Sequence, residues 1–229
     1  MTGGTRGIGL AIAERLGEAE ATVLVTGRRP TAEGLDGFEY RGVDFADGPA
    51  LEAFAEEARA WAPDVLVNNA GINTLAPFAE IVPEDFDRIQ AVNVRAPMLL
   101  CRGVVQGMRE RGWGRIVNMA SVAGTLGGFG QASYSTTKAG ILGLTKTLAM
   151  EGGRHGITCN AIVPGIIGTE AFHMANAATN ERIAQRTVFK RPGEPQDIAN
   201  AIAFLCSNLA GYITGIELNV SGGVELFVF

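Results

Sequence analysis

The sequence predicts an α/β fold, a doubly wound parallel sheet with helices on both faces. Short apolar segments rich in valine and isoleucine alternate with longer segments of helical periodicity, which is the pattern of strand–helix–strand units. Glycine contributes 31 of the 229 residues at scattered positions, as tight turns between strands and helices require. The chain has no internal repeat and no linker rich in proline or serine, so residues 1–229 are expected to form a single domain.

Five apolar segments are predicted to be buried strands, because they are short and bounded by glycine, proline or asparagine. They cover residues 22–25, 64–67, 115–119, 157–163 and 216–220. Residues 40–43 form a weaker candidate strand. Helices are predicted at residues 7–18, 49–61, 83–111, 133–154 and 196–207. Asp47 is the expected N-cap of the second helix, and Pro97 is expected to kink the third.

The overall composition argues against several classes of protein. A net charge of −5 and a pI of about 5.2 do not favour a nucleic-acid partner. No apolar run is long enough for a membrane span, and the N-terminus lacks the pattern of a signal peptide. The three cysteines, Cys101, Cys159 and Cys206, are odd in number and widely spaced, which indicates reduced thiols in a cytoplasmic protein. No cluster of metal ligands is seen, so no metal site is expected.

A glycine-rich segment, Thr-Gly-Gly-Thr-Arg-Gly-Ile-Gly at residues 2–9, leads directly into the first predicted helix. Gly3, Gly7 and Gly9 would let the backbone approach a pyrophosphate closely. The positive end of the helix would then face that anion. The segment therefore predicts a dinucleotide site in a Rossmann-like fold, although a tight turn without a ligand would use the same glycines.

A loop of this kind normally follows a buried strand at the centre of the sheet. Here the sequence starts at Met1, so the fold is expected to lack its first strand. The neighbouring strands would then lose hydrogen-bond partners, at a high energetic cost. Three explanations stay open: a start site assigned too late, a shortened chain, or a fold that compensates.

The segment after the next strand bears on which dinucleotide binds. NAD sites place an acidic residue there to accept the ribose hydroxyls, whereas this chain has Thr26-Gly27-Arg28-Arg29. Arg6 lies in the glycine loop close by. Guanidinium groups hold a phosphate bidentately, so the sequence favours NADP over NAD. The alternative is that Arg28 and Arg29 are solvated loop charges.

Three further residues form a catalytic constellation. Tyr134 and Lys138 are four residues apart, which places them on one face of a helix, and Ser121 lies thirteen residues before Tyr134. Together with Asn68-Asn69-Ala70-Gly71 they resemble the short-chain dehydrogenase/reductase family over nearly the whole chain, and most closely its 3-oxoacyl-carrier-protein reductase subgroup. The matching segments are residues 2–9, 68–71, Asn93, 114–116, Ser121, 130–131, 134–138, 164–165 and 221–223.

The chemistry expected of these residues is hydride transfer between a nicotinamide and a carbonyl or secondary alcohol. Tyr134 would be the acid/base, its pKa lowered from about 10 by the Lys138 ammonium and an oxidised nicotinamide. Ser121 would hydrogen-bond the carbonyl oxygen. The resemblance implies that Lys138 also binds the nicotinamide ribose, and that Asn93 holds a water that relays protons.

The resemblance also implies further contacts with the cofactor. It places Asp44 at the adenine, Asn69 to Gly71 at the adenosine ribose, and Pro164 to Thr169 at the nicotinamide carboxamide. The predicted cofactor-binding residues are Gly3, Thr5, Arg6, Gly7, Ile8, Gly9, Arg28, Arg29, Asp44, Asn69, Ala70, Gly71, Tyr134, Lys138, Pro164, Gly165, Ile167 and Thr169.

Residues 166–190 are the least regular stretch, and the resemblance makes them a lid over the substrate. Apolar contacts are expected from Phe172, Met174 and Phe189 in this stretch, and from Leu126 and Phe129 on an opposite wall at residues 122–129. A small or medium, partly apolar carbonyl compound would fit, whether a 3-oxoacyl thioester or a free ketone. The apolar tail at residues 225–229, with the family's habit of forming tetramers, predicts a homotetramer.

Two functions of different class remain. The leading one is an NADP-dependent oxidoreductase acting on a carbonyl/alcohol pair. The rival is a non-catalytic nucleotide-binding or scaffold relative, which the absent first strand would favour. A third option, an epimerase or dehydratase of the same fold, would need a second substrate-binding portion for which this chain is too short.

Overall fold

The computed structural model describes residues 1–174 and 176–226. The strands are β1 Leu24–Gly27, β2 Glu39–Gly42, β3 Val65–Asn68, β4 Gly114–Met119, β5 Ile157–Pro164 and β6 Glu217–Val220. The helices are α1 Gly7–Glu18, α2 Gly48–Trp61, α3 Pro83–Gln90, α4 Ala96–Arg111, α5 Val122–Leu126, α6 Ala132–Gly152, α7 Glu170–His173, α8 Ala177–Ala184 and α9 Pro195–Cys206. Short 3₁₀ turns occur at Phe78–Glu80, Gly153–His155, Asn208–Ala210 and Val224–Leu226.

Parallel pairing joins β3, β4, β5 and β6 in that order, and β1 pairs in parallel with β2. The predicted α/β fold is confirmed, and each predicted strand is present with its ends shifted by at most two residues. In each parallel strand, alternate side chains enter opposite faces of the sheet. Ile116 accordingly packs with α2 and α4 on one face, and Val117 packs with α1 and α9 on the other. In residues 1–174 and 176–226, no helix has the length and apolarity needed to cross a bilayer.

Residues 1–4 run between β1 and β3, where the sequence predicts a gap. The Met1 carbonyl accepts from the Thr26 amide at 3.2 Å, and the Thr2 amide donates to the Val67 carbonyl at 2.9 Å. The buried Met1 amino group donates to the Leu24 carbonyl at 2.5 Å, and burial lowers the pKa of this amine to about 5. Residues 1–6, before α1, are not part of a strand in this structure. The expectation that β1 and β3 lose their partners is nevertheless wrong at this end of the sheet.

The predicted helix over residues 83–111 is three segments rather than one kinked helix. A π-helical turn, Ala91–Arg95, separates α3 from α4, and the Ala96 amide donates to the Ala91 carbonyl. The break therefore lies around Asn93 and not at Pro97, which sits in the first turn of α4. Pro97 contributes to this break, because its ring nitrogen has no hydrogen to donate to the Asn93 carbonyl four residues earlier.

The stretch expected to be irregular, residues 166–190, contains the short helices α7 and α8. Its two ends are joined by backbone hydrogen bonds, from the Gly168 amide to the Gly193 carbonyl at 2.8 Å and from the Gly193 amide to the Ile166 carbonyl at 2.9 Å. The short helix α5 was also absent from the sequence prediction. All three helices lack the length at which periodicity becomes visible in a sequence.

The start of α1 packs directly on the backbone of the glycine loop. A Cβ atom at Gly9 would lie 1.9 Å from the Gly3 carbonyl oxygen and 2.7 Å from the Asn69 side-chain nitrogen. A side chain at this position would push the helix off the loop.

We therefore expect Gly9→Ala to lower the free energy of unfolding by about 1–3 kcal/mol, measured by denaturant titration. Gly107→Ala is the matched control within α4, because the nearest atom to its added Cβ is the movable end of Arg111, at 3.2 Å. That control is expected to be neutral or to stabilise by up to about 1 kcal/mol. Equal stability of the two variants would contradict the tight contact at Gly9.

Candidate active site

Two clefts lie at the carboxyl ends of the strands, where ligands bind in open α/β sheets. The larger, of about 990 Å³, follows the ends of β1, β2 and β3 and the start of α1. The smaller, of about 310 Å³, follows the ends of β4 and β5. They share five lining residues and so form one continuous groove; these are Ile8, Asn69, Gly71, Ile72 and Thr169.

Every predicted cofactor-binding residue borders this groove. The larger cleft is lined by Gly3, Thr5, Arg6, Gly7, Ile8, Gly9, Arg28, Arg29, Asp44, Asn69, Ala70, Gly71 and Thr169. The smaller cleft is lined by Ile8, Asn69, Gly71, Tyr134, Lys138, Pro164, Gly165, Ile167 and Thr169, together with the predicted catalytic residue Ser121.

The glycine loop is held against β3 by the side chain of Asn69. Its amide nitrogen donates to the carbonyls of Thr2 at 3.1 Å and Gly3 at 2.9 Å. Gly3 and Gly7 have φ values of 69° and 54°, a region that other residues rarely adopt. These turns direct the amides that begin α1 toward the larger cleft, where an anion would meet them.

Two of the predicted catalytic residues lie side by side on α6. Lys138 is buried, with its ammonium donating to the Met119 carbonyl at 2.6 Å and lying 5.5 Å from the centre of the Tyr134 ring. Burial lowers the pKa of Lys138 to about 8. Ser121 is the N-cap of α5 and accepts from the Ala123 amide at 3.2 Å. The Ser121 side chain also lies near the Tyr134 phenol and favours its ionised form.

Burial raises the pKa of Tyr134, and the neighbouring Ser121 side chain opposes this rise without cancelling it. The lowering of this pKa expected from Lys138 together with an oxidised nicotinamide is not seen in the protein alone, where desolvation of the phenolate is the largest influence. The Tyr134 hydroxyl consequently keeps its proton at neutral pH.

Asn93 lies behind the groove rather than on its wall. Its side-chain oxygen accepts from the Ile72 amide at 2.9 Å, while its nitrogen donates to the Ile72 carbonyl at 2.9 Å and to the Thr137 hydroxyl at 3.1 Å. A Cβ atom at Gly71 would lie 3.4 Å from the Asn93 oxygen and 3.5 Å from the Lys138 ammonium nitrogen. Asn93 is therefore close to Lys138, with both of its side-chain groups already hydrogen-bonded.

Few of the residues proposed for the substrate walls border the groove. Met174 lines the larger cleft, whereas Leu126 and Phe129 are 56% and 96% exposed and line neither cleft. The wall expected from residues 122–129 is therefore not formed in this structure. In the apolar tail, Glu225 accepts from the Ser221 hydroxyl at 2.5 Å and Leu226 is exposed, while residues 227–229 lie outside the described residues.

Several lining residues escaped the sequence analysis. Tyr40, Glu33, Arg88 and Glu170 border the larger cleft, and Asn73 borders the smaller one. None of them belongs to a recognisable motif. Only Tyr40 could have been predicted to line the cleft, because it lies near the carboxyl end of β2. Over residues 1–174 and 176–226, no three metal-ligating side chains are grouped so as to hold an ion.

Comparisons with known proteins place this groove in a family. A family model described as Enoyl-(Acyl carrier protein) reductase matches residues 3–225. The chain is 38% identical to the 3-oxoacyl-(acyl-carrier-protein) reductase FabG of Aquifex aeolicus over 237 residues, which cover 98% of this chain and 95% of the relative. It is 41% identical to the acetoacetyl-CoA reductase of Shinella zoogloeoides over 236 residues, or 100% and 98% of the two chains.

A solved structure is similar in fold as well. It is described as an NAD(P) dependent gluconate 5-dehydrogenase from Beutenbergia cavernae with NADP bound at low occupancy. The TM-score is 0.92 at 35% identity, and the match covers 98% of this chain and 95% of that one. The family match over residues 3–225 and the full-length relatives agree with the groove, and the chain belongs to the short-chain dehydrogenase/reductase family of oxidoreductases.

Proposed function

We propose that the protein is an NADP-dependent oxidoreductase that interconverts a carbonyl group and a secondary alcohol, with Tyr134 as the acid/base. The observation that carries this proposal is the grouping of Ser121, Tyr134 and Lys138 along one end of a dinucleotide-sized groove. A non-catalytic nucleotide-binding protein would have no use for a buried ammonium beside a phenol, because burying a charge is costly. This grouping favours the enzyme over the scaffold.

The groove fits NADP on two counts. Added Cβ atoms at Gly3 and Gly9 would fall 3.0 Å from the Ala70 backbone and 1.9 Å from the Gly3 carbonyl oxygen, so only glycines let the loop fold this tightly at the start of α1, where a pyrophosphate would meet the backbone amides. Arg28 and Arg29 follow β1 and border the larger cleft together with Arg6. Three guanidinium groups with no acidic residue at the β1 end match a 2′-phosphate. The bound NADP in the related structure supports this assignment.

Bound there, the nicotinamide would supply or accept the hydride. Ser121 would donate a hydrogen bond to the carbonyl oxygen and stabilise the charge that develops on it. Tyr134, protonated because its pKa is raised, would give its proton to the alkoxide during reduction. Lys138, the nearest cation, would stabilise the resulting tyrosinate and bind the nicotinamide ribose. Asn93 would position Gly71 and Ile72 beside Lys138 and hold the water of the proton relay.

For the substrate we propose a 3-oxoacyl thioester, with a small ketone or alcohol as the alternative. Two relatives are named for such thioesters, the 3-oxoacyl-(acyl-carrier-protein) reductase of Aquifex aeolicus and the acetoacetyl-CoA reductase of Shinella zoogloeoides. Residues 166–190 would close over this substrate, because Thr169 and Met174 already border the groove. Within the proposed single domain, this segment is the part expected to move.

We also propose that the chain works in the cytoplasm as a homotetramer. Cys101, Cys159 and Cys206 are buried free thiols, which suits a reducing compartment. Met150 and Leu209 are 77% and 84% exposed, and large apolar side chains of this kind mark association surfaces when they lie in patches.

Tyr134→Phe should reduce turnover of a 3-oxoacyl thioester with NADPH by about 10²–10⁴-fold, because it removes the proton donor and keeps the ring. The measurement is NADPH oxidation at saturating substrate. Binding of NADPH is measured in parallel, so that a loss of turnover much larger than any change in Kd separates the proton-transfer role of Tyr134 from its contact with the cofactor. Turnover that survives the substitution would contradict the role of Tyr134, and a wild-type chain that binds NADPH without turning over any carbonyl would favour the scaffold.

Arg28→Ala and Arg29→Ala should each raise the Kd for NADPH by about 10-fold or more, because each removes charge-assisted hydrogen bonds to the 2′-phosphate. The Kd for NADH should change by less than about threefold. Fluorescence titration measures both values. Arg154→Ala, which removes the same charge beside His155 and away from the groove, is the matched control. Equal losses for both dinucleotides would contradict the phosphate contact.

Light scattering during size exclusion at micromolar concentration should give four times the 24.0 kDa chain mass. A wild-type chain that elutes as a monomer would overturn the tetramer.

A further inference from the structure

The loop that carries Arg28 and Arg29 is tied to β2 by a side chain that lies outside every motif. The Tyr40 hydroxyl donates to the carbonyl oxygen of Arg29 at 2.5 Å, across eleven residues of sequence. The Val43 amide holds the start of the same loop, donating to the Gly27 carbonyl at 2.7 Å. The first residues of the loop are thus held at two points, at the Gly27 carbonyl by a backbone amide and at the Arg29 carbonyl by the Tyr40 phenol.

Close packing around the phenol shows that the loop has little freedom while this bond is made. A Cβ atom at Gly27 would lie 2.8 Å from the Tyr40 oxygen and 2.7 Å from a Thr5 methyl carbon. A Cβ atom at Gly42 would lie 2.4 Å from the Arg29 carbonyl oxygen. Because Gly27 and Gly42 have no side chains, the neighbouring backbone can approach closely enough for the Tyr40 hydroxyl to reach the Arg29 carbonyl. Thr5 of the glycine loop lies against Gly27.

The phenol also lies where it can affect the ligand. Tyr40 lines the larger cleft together with Thr5, Arg28 and Arg29. Its hydroxyl group faces Arg29 closely enough for the guanidinium to favour the phenolate, an effect that burial of the ring outweighs. A hydrogen bond to the Arg29 carbonyl leaves the Arg29 side chain free for an anion, while it fixes the backbone from which that side chain extends.

We propose that Tyr40 is a positioning residue for cofactor selectivity: its hydroxyl holds the backbone of Arg29 so that the Arg29 side chain meets the 2′-phosphate of NADP. This inference rests on the proposed NADP-dependent function. Tyr40 acts through Arg29 rather than on the nicotinamide. Its effect is therefore confined to the phosphate that distinguishes NADPH from NADH.

Tyr40→Phe tests the proposal, because it keeps the ring and removes only the hydroxyl group. The Kd for NADPH should rise by about 3–10-fold, the range of one lost hydrogen bond, while the Kd for NADH stays within about twofold. Unchanged NADH binding also shows that the variant is folded. Tyr212→Phe, at a fully exposed tyrosine outside the clefts, is the matched control and should leave both values unchanged.

The same substitution in an Arg29→Ala background tests whether Tyr40 acts through Arg29. There Tyr40→Phe should change the Kd for NADPH by less than about twofold, since the side chain that it positions is gone. Equal weakening of NADPH and NADH, or an undiminished effect in the Arg29→Ala background, would overturn the positioning role. Wild-type protein without a preference for NADPH would instead overturn the cofactor assignment and this inference together.

Discussion

The backbone bonds that residues 1–4 make to β1 and β3 are the contact on which the rest of the groove depends. Thr2 donates to Val67 on one side, and Met1 accepts from Thr26 on the other. These bonds hold the two-stranded and the four-stranded parts of the sheet at a fixed distance. The start of α1, the arginine loop and Asn69 all take their positions from them. Breaking one would leave buried amides unpaired, at about 1–3 kcal/mol each.

A second set of buried contacts relates the catalytic side chains to the sheet. The Asn68 amide donates to the Asn118 side-chain oxygen at 2.8 Å, and Asn118 donates to the Thr145 hydroxyl on α6 at 3.0 Å. Polar groups in a core need directional partners, so this chain of bonds sets the orientation of α6 more sharply than apolar packing alone. Lys138, two turns earlier on α6, can then reach the Met119 carbonyl at the end of β4.

The residues that line the groove could be predicted because most of them sit within a few positions of a strand end. Arg28, Asn69 and Ser121 follow three different parallel strands, and the carboxyl ends of parallel strands meet at one edge. The break at Asn93 was misplaced because π-helical turns leave no periodic signal in a sequence. The exposed positions of Leu126 and Phe129 could not be predicted, because the direction of side chains on the short helix α5 and on the turn after it depends on neighbours in space.

The amino-acid sequence alone predicted the family, the strands and the residues that line the groove, because all of these depend on local patterns and short motifs. Packing decided what depends on distance through space. The pKa of Tyr134 follows from how deeply α6 buries the phenol, and the bonds of Asn93 follow from where Ile72 comes to lie. The link between Tyr40 and Arg29 likewise needs two glycines to let their strands approach. The pKa of Tyr134, the hydrogen bonds of Asn93 and the Tyr40–Arg29 bond cannot be predicted from the spacing of residues in the sequence. Each depends on a desolvation or a contact that exists only in the folded chain.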